Sequence, residues 1–220
     1  MNYNEYHRSL SNNDDHRKCV GGKWEEIGKL QIDFMKNQGL RPEMKFLDIG
    51  CGSLRGGRHF INYLKPYKYY GIDCNQSLID LGRKKELGIN FWKVRDLNFM
   101  VNEYFEFDKF SKIFDTALAF SVFTHLPPIY LELCLYKLSK VFRKGSKFYA
   151  TFWLCDESLD FDSPLKQCDD IVPTHSFKDP FHYKLSTIDK CSSNKWTYKI
   201  IDDFIHPRNQ KMICFLKEKE

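Results

Sequence analysis

The chain has 220 residues, of which 42% are hydrophobic, 16% aromatic and 29% charged, and its 34 basic and 29 acidic side chains leave a formal net charge of +5. This length favours one domain with a full core, and the composition excludes a disordered chain. So small and evenly spread a charge lacks the basic stripe of a dedicated nucleic-acid binder and suits a small-molecule partner, one bearing phosphate included.

No apolar run approaches the roughly 20 residues of a membrane span. The opening MNYNEYHRSLSNNDDH has no signal-peptide core, so a cytoplasmic address with no membrane partner is expected. The eight cysteines form no C-x-x-C pair, which excludes zinc-ribbon and redox spacings and leaves reduced thiols as the expectation.

Residues 1–20 are polar and show no sustained period. Between 23 and 38, Trp24, Ile27, Leu30, Ile32, Phe34 and Met35 largely fit an amphipathic helix that closes near Gly39. The pattern then alternates: strand Lys45 to Ile49, helix Arg55 to Leu64, strand Tyr69 to Asp73, helix Ser77 to Lys85 and strand Asn90 to Val94. A continuous apolar strand, Phe114 to Phe120, leads to a helix from Pro127 to Phe142 with proline in its first turn, and then to a strand from Lys147 to Leu154. Residues 156–183 read as irregular, followed by a short helix, Leu185 to Cys191, and two close strands, Thr197 to Asp202 and Lys211 to Leu216. Strands interleaved with helices predict parallel βαβ units joined by right-handed crossovers, here closed by an antiparallel hairpin. One domain over 1–220 is expected, with an amino-terminal cap at 1–40, a ligand-binding core at 41–155, and a substrate-side insertion with the closing hairpin at 156–220.

The segment Phe46-Leu47-Asp48-Ile49-Gly50-Cys51-Gly52-Ser53-Leu54-Arg55-Gly56-Gly57 runs from strand through glycine turn to helix, which the open-sheet rule marks as a ligand crevice. Gly50 and Gly52 let the backbone pass close to a ligand. The next strand ends in Asp73, 23 residues beyond Gly50, where a carboxylate can accept both hydroxyls of a ribose. A dinucleotide site has a similar outline. However, Arg55 stands where that fingerprint needs glycine, and Asp48 adds a charge that repels pyrophosphate and attracts a sulfonium. The residues therefore favour S-adenosylmethionine over NAD.

LDIGCG, a strand ending GID, then RDL and FDTALAFSVFTHLP resemble, in order and spacing, the motif series of class I S-adenosylmethionine-dependent methyltransferases over about residues 40–155. The resemblance implies a Rossmann-like, seven-stranded α/β sheet, mostly parallel with an antiparallel carboxy-terminal strand and helices on both faces, and S-adenosylhomocysteine as the spent cofactor. It also implies that Asp48, Gly50 and Gly52 line the methionine end, that Asp73 binds ribose, that Asp96 and Leu97 hold adenine, and that Phe120 and Ser121 flank the cofactor. Ser53 and Cys74, next to Gly52 and Asp73, are counted with them. The family's third glycine falls at Leu54. VGGKWEEIGKLQIDF, SLRGG, DPFHY and HPRNQKM are similar to bacterial methyltransferases that modify sugars of capsules and other surface glycans. In that likeness Gly21, Gly22 and Trp24 belong to an amino-terminal lid over the cofactor; the alternative is Trp24 as a core anchor.

Transfer of a methyl group from sulfonium is an in-line displacement that needs alignment and, for a hydroxyl acceptor, a base. Of the seven histidines, His7, His16 and His59 read as solvated or packing residues. His125 follows the fourth strand just ahead of a helix, where the dipole favours neutral imidazole, and is the candidate base. Arg55, His182, Tyr183, His206 and Arg208 are candidate acceptor contacts. The loop directly after the fourth strand carries no carboxylate, and the end of the next strand offers only Asp156, so no metal site is expected. The expected activity is O-methylation of a small molecule, a sugar or nucleotide-linked sugar first. The alternatives are N- or C-methylation of a metabolite or RNA, and a non-catalytic cofactor-binding scaffold.

Overall fold

The computed structural model describes residues 15–88, 97–168, 171–192 and 195–219. Its main sheet has seven strands, in the order β3-β2-β1-β4-β5-β9-β8. These strands are β1 (Phe46–Ile49), β2 (Tyr69–Asp73), β3 (Asn98–Val101), β4 (Phe114–Ala119), β5 (Phe142–Phe152), β8 (Trp196–Ile201) and β9 (Lys211–Lys217). Strand β1 pairs parallel with β2, and β2 with β3. Strand β9 runs antiparallel to both β5 and β8. This is the mostly parallel sheet with an antiparallel carboxy-terminal pair that the motif order implies. All four residues of β1 are buried, as befits a central strand covered on both faces.

The chain divides into two compact units, one running to Glu103 with Phe114–Thr116, the other holding Tyr104–Ile113 and everything from Ala117 on. In the first, the short helix α1 (His16–Cys19) precedes α2 (Trp24–Asn37), α3 (Gly57–Tyr63) and α4 (Gln76–Glu86). Helix α2 starts with Glu25 and Glu26 and ends with Lys36, charges that complement the helix dipole. Its chain turns away at Gly39, whose φ of +92° is readily available only to glycine. Asn75 caps α4 by accepting from the Leu78 amide at 3.2 Å. The core joins Phe46 to Phe60, ring centroids 4.3 Å apart, and Tyr70 to Phe114 at 5.1 Å.

In the second unit, helix α5 (Pro128–Val141) has proline in its first turn, where the missing amide costs nothing. Lys217, only 3% exposed, donates its ammonium to the carbonyls of Ser139 and Phe142 at 2.8 and 2.7 Å, satisfying the end of α5. Phe123 stacks on Phe152 at 5.3 Å, and Phe152 meets Tyr183 at 5.1 Å. Helix α6 (Leu185–Ser192) precedes the closing hairpin.

Several boundaries differ from the sequence reading. The strand expected at Asn90 to Val94 lies outside the described residues, and the strand beside β2 is Asn98–Val101. A 3-10 turn at Phe107–Phe110 had no periodic signal. Strand β5 begins at Phe142, but its pairing with β9 starts at Lys147, where the sequence pattern begins. The irregular stretch contains a separate hairpin, β6 (Leu165–Gln167) with β7 (Val172–Thr174). Helix α3 begins at Gly57 because Leu54 has a φ of +69°, which prolongs the turn.

Candidate active site

In the first unit the glycine turn folds back over the end of β2. The amides of Gly50 and Cys51 both donate to the Ile72 carbonyl, at 2.8 and 3.1 Å. Left-handed φ values at Gly50 (+71°), Gly52 (+50°) and Leu54 (+69°) make this reversal possible. Leu54 thus supplies with a branched side chain the backbone conformation that the family's third glycine would provide, at a cost of about 1–2 kcal/mol. Its side chain is fully buried, which offsets that cost.

Asp73 joins strand to turn. One carboxylate oxygen accepts from the Gly52 amide at 2.8 Å, the other from the Asn75 amide at 2.9 Å, and the Cys74 thiol hydrogen-bonds the same group. Enclosure raises the Asp73 pKa, against these donors, which hold it down. Asp48 lies on β1 with 4% exposure and accepts from the Tyr69 hydroxyl at 2.6 Å. Burial, aided by the Asp73 charge and opposed by that hydroxyl, pushes its pKa up to about 7. Asp48 is therefore not the fully ionised acid beside the turn that its sequence position predicts.

Two helices press on this turn. A Cβ at Gly82 of α4 would lie 2.6 Å from the Ser53 carbonyl, and one at Gly28 of α2 would lie 2.6 Å from the Arg55 carbonyl. The segment from Asp15 to Gly22 is strapped across the turn as well. Ser53 donates to the His16 carbonyl at 2.9 Å, and Arg55 Nη1 to the carbonyls of Val20 and Gly22 at 2.7 and 3.0 Å. Glu86 holds the other side, 2.7 Å from His16 Nε2 and 2.9 Å from Arg17 Nε. Trp24, with 7% exposure, has the Arg17 and Arg58 guanidinium carbons 5.1 and 5.6 Å from its ring centroid. Ser53 and Arg55 are thus engaged in closing the strap rather than presented to a ligand, which corrects the acceptor role expected of Arg55. Leu97 is half-buried just before β3; Asp96 lies outside the described residues.

In the second unit the residues after β4 form a buried polar knot. The Ser121 amide donates to Thr151 Oγ1 at 2.7 Å, and the hydroxyls of Ser121 and Thr151 both donate to Gln210 Oε1, at 2.9 and 2.7 Å. Phe120 packs on His206 at 5.0 Å. The HPRNQKM segment is therefore built onto the end of β4, with His206 buried and its Nδ1 accepting from the Arg208 amide at 3.0 Å.

His125 Nδ1 lies 2.7 Å from Asp179 Oδ1, with both side chains 25% exposed. The loop bearing Asp179 is zipped to that of His125 where the Phe181 amide donates to the Thr124 carbonyl at 2.8 Å. Asp179 had escaped the sequence reading although it opens the DPFHY segment. His182 and Tyr183, expected to face the acceptor, are turned inward. His182 uses both ring nitrogens, on Thr174 at 3.0 Å and Ser176 at 2.9 Å, and Tyr183 donates to the Leu126 carbonyl at 2.5 Å. Among the described residues, no three or more His, Cys, Asp or Glu side chains gather as a metal site, and no helix is long and apolar enough to cross a membrane.

Residues 47–148 match the family model of the methyltransferase domain. Three solved structures share the fold. Magnesium protoporphyrin IX methyltransferase from Synechocystis PCC 6803, with bound SAM, aligns at 13% identity over 99% of this chain and 98% of its own, with a TM-score of 0.66. A Haemonchus contortus phosphoethanolamine N-methyltransferase, with phosphoethanolamine and S-adenosylhomocysteine, aligns at 13% over 99% of this chain and 48% of its own, TM-score 0.65. A protein from Pyrococcus horikoshii OT3 aligns at 15% over 97% and 99%, TM-score 0.60. The matched model is that of the methyltransferase domain, and the likeness to these structures shows a shared fold, which in the Synechocystis enzyme was solved with bound SAM. The residues fit that group: each Asp73 oxygen accepts one amide and keeps acceptor capacity for a hydroxyl.

Proposed function

We propose that the protein is an O-methyltransferase of a small hydroxylated acceptor, a sugar or nucleotide-linked sugar of capsular or surface polysaccharide, acting in the cytoplasm as one methyltransferase domain. The observation that carries the reaction type is the 2.7 Å contact between His125 Nδ1 and Asp179. A carboxylate only accepts, so it selects the tautomer with the proton on Nδ1 and places the basic lone pair on Nε2. A hydroxyl acceptor needs such a base, whereas an amine needs it less. The similarity of DPFHY and HPRNQKM to glycan-modifying enzymes supports the acceptor class, and DPFHY contributes Asp179.

The bound cofactor supplies an electrophilic methyl group. Gly50 and Gly52 would receive its methionine end, Asp73 would accept from its ribose, Asp96 and Leu97 would hold its adenine, and Phe120 and Ser121 would flank it. His125 would take the proton of the acceptor hydroxyl through Nε2 as the oxygen gains the methyl carbon and the methyl–sulfur bond gives way, leaving neutral S-adenosylhomocysteine, and Asp179 would stabilise the imidazolium. The test is transfer of an isotope-labelled methyl group from S-adenosylmethionine to a panel of free and nucleotide-linked sugars. The reading expects an O-methyl product, made after exhaustive chelation as well as before. Product carrying the label on nitrogen or carbon overturns it.

A further inference from the structure

Two segments on either side of the β6–β7 hairpin, the second of them bearing Asp179, carry a feature that folding leaves unexplained. Phe161 and Phe177 are 62% and 48% exposed, yet their rings face each other with centroids 5.7 Å apart at 35°. His175 extends the cluster, 5.7 Å from Phe177. Single exposed apolar side chains are ordinary on protein surfaces. Two aromatic rings held together in water are less so, because covering them would gain about 25 cal/mol per Å² of apolar surface.

The loop behind Phe177 is firmly built. The His175 amide donates to the Pro180 carbonyl at 2.8 Å, the His182 amide to the His175 carbonyl at 3.0 Å, and the Phe181 amide to the Thr124 carbonyl at 2.8 Å. The His182 ring ties Thr174 to Ser176 from inside. An aromatic side chain on so restrained a loop loses little entropy on binding. The same loop delivers Asp179 to His125, two residues beyond Phe177.

The polar neighbours in the chain define what such rings would hold. Asp160 and Asp162 flank Phe161 and are exposed, as is Lys178, whose ammonium lies 5.8 Å from the Phe177 centroid. Exposed aromatic rings with carboxylates next to Phe161 in the chain and an ammonium over Phe177 match a ring with an apolar C–H face and a hydroxyl rim. We propose that Phe161 and Phe177 form a platform for the pyranose ring of the acceptor. Asp160, Asp162 and Lys178 are available to its hydroxyls. The assignment rests on the sugar reading above and makes Phe161 and Phe177 determinants of acceptor choice.

Ligand-observed saturation-transfer NMR on the full chain with S-adenosylhomocysteine tests this without turnover. The probes are methyl α-D-mannopyranoside and methyl β-D-glucopyranoside at millimolar concentration, with phenol as the aromatic comparison. At least one pyranoside should show saturation of its ring C–H protons. The double variant Phe161→Ala/Phe177→Ala should weaken that signal by about fivefold or more, the ratio equivalent to about 1 kcal/mol. Phe177→Trp should preserve it, and Phe177→Leu, apolar but not flat, should not. Cofactor affinity should be unchanged in all variants. Equal saturation in the wild type and the double variant, no saturation of either pyranoside, or saturation of phenol alone overturns the platform. So does a wild-type dimer in sedimentation that the double variant dissolves, since a second copy would then be what covers the rings. Failure of the His125 assignment shows itself only in methyl transfer, so the two readings fail separately.

Discussion

Asp179 Oδ1 lies 2.7 Å from His125 Nδ1 across 54 residues of sequence, and the pair ties the insertion after β5 to the loop after β4. A positioned base contributes about 100-fold to 10,000-fold. His125→Ala should therefore lower kcat by at least about 100-fold and leave cofactor affinity nearly intact. Asp179→Asn offers Nδ1 an amide donor and should favour the opposite tautomer, so it too should lower kcat, with little change in KM. A His125→Ala enzyme that keeps more than about a tenth of wild-type kcat, against the range expected for a lost base, places the base elsewhere.

The ribose contact proposed for Asp73 is tested by cofactor affinity. Hydrogen bonds to a charged group contribute roughly 1.5–3 kcal/mol, so Asp73→Ala should weaken S-adenosylhomocysteine binding by one to two decades in titration calorimetry. Asp73→Asn, which keeps one acceptor oxygen, should fall between. Affinity within about twofold of wild type in a folded Ala variant, far less than such a bond is worth, takes Asp73 out of the site.

Arg55 closes the strap onto the turn through the carbonyls of Val20 and Gly22. Arg55→Met keeps an extended apolar side chain and removes both bonds. Loss of a charge-assisted bond of about 1.5 kcal/mol or more should speed trypsin cleavage at Arg17 or Lys18 by about tenfold through local opening. Cleavage at the wild-type rate would show that the strap is held without Arg55.

Asp48 carries a pH dependence of stability whose sign is set by its raised pKa. Between the ordinary aspartate value of about 3.9 and its value of about 7 in the fold, the folded chain holds a proton that the unfolded chain has lost. Stability must then decline as pH rises through that window, by up to about 1.4 kcal/mol per pH unit from this group, and level off above it. Below about pH 3.9 both states are protonated and the group contributes no slope. Denaturant unfolding at pH 5 and pH 7.5 should show this loss in wild type and a smaller one in Asp48→Asn; equal losses would falsify the assignment.

The succession of strands and helices was legible because period and punctuation agree: β1, β2 and β4 are mostly apolar and buried, and glycine and proline mark the end of α2 and the start of α5. The glycine turn and its contact with the end of β2 were legible for the same reason, since Gly50, Gly52 and Asp73 are local signals in consecutive elements. What stayed hidden depends on pairings between distant residues. Nothing near Asp179 announces His125, and nothing near Tyr183 announces that its hydroxyl is spent on Leu126. Arg55 reads as a ligand contact until Val20 and Gly22 are placed beside it. Leu54 conceals its glycine-like backbone, because packing around a leucine can outweigh a conformational preference that sequence rules treat as decisive.

The strap also has a history in synthesis. His16 emerges first, yet Ser53 follows it by 37 residues and Glu86 by 70. At about 5–20 residues per second, the 70 residues between His16 and Glu86 take roughly four to fourteen seconds to make. Ser53 and Arg55 supply the contacts to the turn first, and the pairing of His16 and Arg17 waits for Glu86. The strap is thus secured in two stages, the second of which needs α4.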